Sequence, residues 1–273
     1  MDTTPLILLT NDDGIRSPGL WAAAEALVGL GEVAIVAPCD QWSGAGRSMP
    51  SNLSGCIYPE QLSVNGRTWQ VYGIDATPAQ AVQYAMVEIL PRLPDLVVAG
   101  INYGENVGSG VTISGTVGAA LEGAQFGCPA LAVSVETDTH YNLSHSTEID
   151  FSAAAFFTRV FAQRLLAAPR QADVDALKVD VPEGATRDSP WRLTRVSRER
   201  YYHPLKPARA RLTDPGQMGY QRFVDPARLE PDSDVSALLN HCVSVTPLSL
   251  DITSRVDMGE LAKALGPGPS RPL

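Results

Sequence analysis

The chain has 273 residues, of which 44% are hydrophobic, 19% charged and 7% aromatic, with 23 glycines and 21 prolines, an ordinary globular composition. At this length it buries about 75% of its unfolded surface without staples, and no apolar run approaches the roughly 18 residues that span a bilayer. The net charge of −9 is uneven: residues 1–150 carry 16 Asp and Glu against 4 Lys and Arg, a balance of −12, and the rest carries 14 against 17, or +3. So acidic a first part argues against nucleic-acid binding, which rests on Lys and Arg, and leaves room for a cation.

In chain order, Leu6–Thr10 is the first expected strand, and it runs into Asp12 and Asp13 with no basic leader before it. A soluble, cytoplasmic protein with no membrane partner is therefore expected. Ser17-Pro18 then opens a helix as N-cap and first helical residue, burying Leu20, Ala23, Ala24, Leu27 and Val28 before Gly29 and Gly31 stop it. Strands are expected at Val33–Ala37, Trp69–Tyr72, Leu96–Ala99, Ala130–Val135 and Leu177–Val181. Their near-continuous apolar character suits strands covered on both faces.

Thr77-Pro78-Ala79-Gln80 is a capping box followed by Val82, Ala85, Met86, Ile89 and Leu90 at helical spacing. A third helix is expected to start near Thr116 and end at Gly127, and a fourth to run from Asp150 to about Ala168. Strand and helix alternating in this way give an α/β fold, a mainly parallel, Rossmann-like sheet sandwiched by helices. From Pro182 the texture turns to Pro, Arg, Tyr and Asp, with strands at Trp191–Val196 and Val243–Thr246. Residues 1–182 thus read as the catalytic core and 183–273 as an arm for oligomerisation, with a disordered tail near 265–273. Cys39, Cys56, Cys128 and Cys242 form no C-x-x-C, so neither a zinc ribbon nor a disulfide framework is expected.

Ligands of open α/β sheets bind beyond the carboxyl ends of the strands. There this chain places Asn11-Asp12-Asp13-Gly14, then Gln41-Trp42-Ser43-Gly44, then Asn102-Tyr103-Gly104-Glu105-Asn106. Adjacent carboxylates repel unless a cation lies between them or one is protonated. One of the two acids capping the next helix would be a bland alternative, but Ser17-Pro18 occupies that position. Asp12, Asp13, Ser43 and Asn102 make an all-oxygen set suited to one divalent cation per subunit, Mg²⁺ or Mn²⁺ rather than zinc. His140, His145, His203 and His241 show no metal-ligand spacing.

The stretch Gly108–Thr116 precedes a helix, where free N–H groups attract an anion. Ser114 and Thr116 add hydroxyls, although simple capping would explain half of that pattern. A cation beside a phosphate cradle makes a phosphoryl-transfer site, the ion activating water and neutralising charge on the phosphate. A dinucleotide-binding reading fails because Asp12 and Asp13 stand where G-x-G-x-x-G should be, and a P-loop reading fails because no Gly-Lys pair exists. A non-catalytic nucleotide- or phosphate-sensing α/β module remains the alternative.

Leu6–Gly14 as LILLTNDDG, Val36–Pro38 with Ser43-Gly44-Ala45, Pro94–Gly104 as PDLVVAGINYG, Ser114–Val117 as SGTV, and Val243–Leu248 resemble the SurE survival-protein family. The resemblance implies a metal-dependent nucleotidase acting on nucleoside 5′- and 3′-monophosphates, with polyphosphate a further candidate substrate. It puts Asp12 and Asp13 at the catalytic centre and Asp12, Asp13, Ser43 and Asn102 on the metal. Asn106, Ser114, Gly115 and Thr116 fall on the phosphate-binding positions, and dimers or tetramers with exchanged C-terminal elements are implied. The chain departs from the family pattern at Ala79-Gln80-Ala81, where an acid and a cysteine are usual, at Ile113, where a tyrosine is usual, and at Arg47-Ser48.

Overall fold

The computed structural model describes residues 4–141 and 144–266. Among them are β1 (Leu6–Thr10), α1 (Pro18–Leu27), β2 (Glu32–Pro38), β3 (Ile57–Val64), β4 (Arg67–Ile74), α2 (Pro78–Tyr84), β5 (Leu96–Tyr103), α3 (Gly115–Gln125), β6 (Ala130–Val135), α4 (Ser152–Ala167) and β7 (Ala176–Val181). The remainder comprises β8 (Trp191–Leu193), β9 (Tyr202–Leu205), β10 (Gly219–Arg222), α5 (Asp234–Leu239), β11 (Val243–Leu248) and α6 (Met258–Leu265).

Nine strands form one sheet in the order β3-β4-β2-β1-β5-β6-β7-β11-β8, parallel except for β3 on β4 and β11 on β7. The apolar strands are covered on both faces, as period-2 geometry requires. Ile7 and Leu9 join Leu20, Ala24, Phe157 and Phe161 on the α1–α4 side, and Leu8 joins Val82, Val117 and Ala120 on the α2–α3 side. The expected α/β class and its mainly parallel sheet are therefore observed.

Two local expectations are corrected, and one strand was not foreseen. Ser17 occupies the N-cap position of α1, but its hydroxyl makes no capping bond and is buried without a partner. The helix expected to continue from Gln80 to Leu90 loosens after Tyr84 into a π-helical turn, Ala85–Ile89. Strand β3 went unread because its Pro59 and alternating exposure belong to an edge strand. Its hairpin turns on Asn65 and Gly66, both at positive φ, the Asn-Gly pair that two-residue hairpins favour.

The chain after Pro182 does not leave the sheet. β11 seats Val243 and Val245 beside β7 and carries β8 on its other edge, because a strand buried on both faces needs neighbours for its backbone groups. What stands apart is the β9–β10 hairpin, a separate two-stranded ribbon, and the segment after Leu248, where every residue of α6 is exposed. Of the tail expected to be disordered, 267–273 lies outside the described residues.

Candidate active site

The carboxyl ends of β1 and β5 and the N-terminus of α3 converge on one edge of the sheet. Gly14, at φ +94°, turns the chain after Asp13, and Asn11 brackets that turn by accepting from the Gly14 amide at 3.2 Å and donating to its carbonyl at 3.0 Å. The turn takes Asp12 and Asp13 out of the strand, so both can serve one place.

Asp12 is buried, and its Oδ1 accepts the Thr116 hydroxyl at 2.5 Å. Asp13 accepts from the Gln41 amide at 2.7 Å and from the Tyr103 backbone N–H at 3.3 Å. The Asp13 carbonyl meets His145 Nε2 at 2.7 Å, a contact that no spacing in the sequence foretells. Neither carboxylate caps a helix, and among the described residues neither has a Lys or Arg ion pair. Burial raises the Asp12 pKa to about 6 against the Thr116 hydrogen bond. Burial and then the charge of Asp12 push Asp13 up to about 8. Two uncompensated buried acids are a site that lacks positive charge.

That deficit is the test of whether a divalent cation fits, and the donor set passes it. Asn102 spends its amide N–H groups on the carbonyls of Tyr103 at 3.1 Å and Gly104 at 2.6 Å, leaving an oxygen as its remaining polar atom. Ser43 is exposed on the facing loop, which is tied down where the Trp42 amide donates to the Asp12 carbonyl at 2.7 Å. Among the described residues no group of three or more His, Cys, Asp or Glu side chains has metal-holding geometry. A site here would use two acids, a hydroxyl and an amide oxygen, a set that suits a hard cation.

A cleft of about 510 Å³ opens over this edge, and Asp12, Ser43, Asn102, Asn106 and Ser114 all line it. Ser114 is the N-cap of α3, accepting from Val117 N at 3.1 Å. Gly115 closes on Asp12 so tightly that a Cβ there would lie 2.7 Å from the carboxylate, which is why glycine stands at this position. Asp13, Gly115 and Thr116 lie behind the cleft wall, not in it. The Thr116 hydroxyl is committed to Asp12, because the second residue of the helix faces back to the end of β1.

Asn106 is fixed from beneath. Its amide N–H donates to Asp180 Oδ1 at 2.8 Å and its side chain to Ser134 Oγ at 2.7 Å. Asp180 pairs with Lys178, which also meets Asp234 at 3.1 Å, and all three side chains are fully buried. Burial works against the charge on Lys178, but the two carboxylates outweigh it and raise its pKa. Asp234, from α5, also accepts the Gly108 amide at 3.2 Å. This buried triad therefore joins β7, α5 and the loop after β5.

The opposite wall comes from the region that carried no expected site residue: Tyr201, Tyr202, Pro204, Met218 and Tyr220 line the same cleft. Short polar strands without an apolar period gave this hairpin no signal. The departures from the family pattern are absorbed locally. Gln80 completes the capping box and donates to the Pro50 carbonyl at 2.8 Å, while Arg47 pairs with Glu122 at 2.6 Å. Ile113 sits exposed at the cleft.

Residues 7–203 match the family described as Survival protein SurE. The 5′-nucleotidase SurE of Thermococcus gammatolerans is 42% identical over 95% of this chain and 95% of its own. That of Thermococcus kodakarensis is 40% identical over 95% and 98%. The crystal structure of the SurE protein from Aquifex aeolicus superposes with a TM-score of 0.71 at 32% identity, covering 96% of this chain and 99% of its own. With the motifs, the fold and full-length relatives in agreement, the chain belongs to the SurE family.

Proposed function

We propose that this chain is a divalent-metal-dependent phosphomonoesterase that hydrolyses nucleoside 5′-monophosphates to nucleoside and phosphate. The observation that carries the reading is the buried, uncompensated Asp12–Asp13 pair, of which Asp12 lines a cleft that Ser114 at the N-terminus of α3 also lines. The name 5′-nucleotidase carried by its relatives supports it.

In this reading Asp12, Asp13, Ser43 and Asn102 hold one Mg²⁺ or Mn²⁺ ion. When bound, the ion supplies positive charge that offsets the two carboxylates and draws charge from the phosphate. Ser114 and Asn106 hold the phosphate oxygens from the cleft wall, and the first amides of α3 add their dipole. Thr116 holds Asp12 in place, and Gly115 lets the helix approach it. Asp12 is the acid that faces the cleft, and so takes up the proton of the attacking water; as the water oxygen bonds to phosphorus the ester P–O bond breaks, and the leaving nucleoside oxygen takes its proton from solvent.

The test is release of inorganic phosphate from a panel of nucleoside monophosphates with Mg²⁺, with Mn²⁺ and with chelator. Turnover that chelator abolishes is expected. Turnover indifferent to chelator would remove the metal, and tight binding without phosphate release would favour a sensing module.

Self-association belongs to the same proposal. No helix among the described residues is long and apolar enough to cross a membrane, yet Ile252 is 95% exposed and Leu265 78%. A segment that leaves such apolar side chains uncovered suits exchange between identical protomers in a cytoplasmic dimer or tetramer. Light scattering on the full chain and on a truncation after Leu248, which keeps the sheet whole, would distinguish an exchanged arm from a free one.

A further inference from the structure

The lining of the cleft has two chemically different parts. Part of its lining is polar and carries Asp12 and Asn102, and part is the β9–β10 hairpin. In that ribbon Tyr220 lies opposite Pro204 and Arg222 opposite Tyr202. Directly opposed residues share a face, as do residues two apart on one strand. Tyr202, Pro204, Tyr220 and Arg222 therefore form one face of the ribbon.

That face divides its work. Its inner part is locked to the loop after β5: the Tyr202 hydroxyl donates to Glu105 Oε1 at 2.7 Å, and Arg222 pairs with the same buried carboxylate at 3.0 Å. Its outer part is apolar and open, with Tyr220 55% exposed and Met218 52% exposed although both line the cleft. An exposed ring on an anchored ribbon, in the lining of the cleft that Asp12 and Asn102 also line, has the chemistry of a stacking surface. Planar bases stack on such rings with little regard to sequence.

We infer that the β9–β10 hairpin is the nucleobase platform of the site, with Tyr220 as its specificity-determining residue and Met218 and Pro204 as its apolar border. The inference rests on the nucleotidase reading for the identity of the ligand. It assigns substrate selection to the C-terminal half, while the phosphate end is built from the N-terminal half. The Glu105 anchor keeps the platform at a fixed position relative to Asn106. A cleft of about 510 Å³ lies within the roughly 300–1,000 Å³ of small-molecule sites.

The experiment compares kcat/KM for adenosine 5′-monophosphate with that for ribose 5-phosphate, which carries the same ester without a base. Tyr220→Ala is expected to lower the ratio of the two by about 5- to 150-fold, the range that loss of one base–aromatic stack allows. The change should appear in KM, and Tyr220→Phe should restore it. An unchanged ratio, or an equal loss on both substrates, would overturn the platform. Binding of adenosine, measured by calorimetry on the same variants, keeps the two readings apart. A wild type that binds adenosine through Tyr220 but releases no phosphate would fail as a nucleotidase and keep its platform, and adenosine binding indifferent to Tyr220→Ala would remove the platform whatever the turnover.

Discussion

Two sets of acidic side chains are buried along the same sheet, and they differ in what faces them. Asp180 and Asp234 enclose Lys178, so their charge is met inside the protein. Asp12 and Asp13 have each other, with hydrogen bonds from Thr116, Gln41 and a backbone amide but, among the described residues, no Lys or Arg ion pair. A buried charge persists only where it is paired or where something from outside completes it. The first set is therefore a closed structural device and the second an open one. The closed one holds the floor of the open one, through the amides of Asn106 and Gly108.

Breaking the closed set should cost the most. Lys178→Met keeps the side-chain bulk but leaves two carboxylates buried without a counter-charge, a loss of about 3–5 kcal/mol. For a chain of this size that lowers Tm by roughly 10 °C. Adding Asp180→Asn should recover part of it, since one unpaired charge is then gone. A Lys178→Met protein that melts with the wild type would mean that the triad is not held by charge.

The open set should respond in the opposite way. Asp13→Asn removes one of two repelling charges at constant shape, so in chelator the variant should melt no lower than the wild type. With Mn²⁺ the order reverses. A ligand that binds only the folded state raises Tm, and this rise should shrink in the variant while kcat/KM falls on the order of 10²-fold, as the loss of a few kcal/mol of metal-derived stabilisation requires. Equal Mn²⁺ responses in variant and wild type would take Asp13 out of the metal shell.

The two sets were not equally legible in the sequence. Asp12 and Asp13 announce themselves because two acids follow an apolar strand where a helix-capping explanation is spare. Lys178 and Asp180 do not: they sit inside a strand read as apolar and covered on both faces, and nothing local shows that Asp234, more than fifty positions on, shares their space. The same distinction runs through the fold. Strands β1 and β6 were readable to the residue, because apolar runs bounded by turn residues have few other uses. The strand at Val243 was read but misplaced, since its neighbours are β7 and β8 and sequence carries no pairing. The β9–β10 hairpin, four residues a side with Tyr, His, Gln and Arg, had no period to find, although it supplies a wall of the cleft.

The smallest effect sits where the open set meets α3. The Ser114 oxygen accepts the Val117 amide at 3.1 Å, and its residue lines the cleft, so its hydroxyl has a structural use as acceptor and a functional one as donor. Ser114→Ala removes both. The cap is worth about 1 kcal/mol of stability, and a donor to a charged phosphate oxygen about 1.5–3 kcal/mol of kcat/KM. Ser114→Gly separates the two uses, because glycine at an N-cap costs only a few tenths of a kcal/mol yet donates nothing from a side chain. The glycine variant should therefore melt close to the wild type and still lose roughly 10- to 100-fold in kcat/KM. Should both variants keep wild-type kinetics while only the alanine one melts early, Ser114 is a cap and the phosphate is held by Asn106 and the helix amides without it.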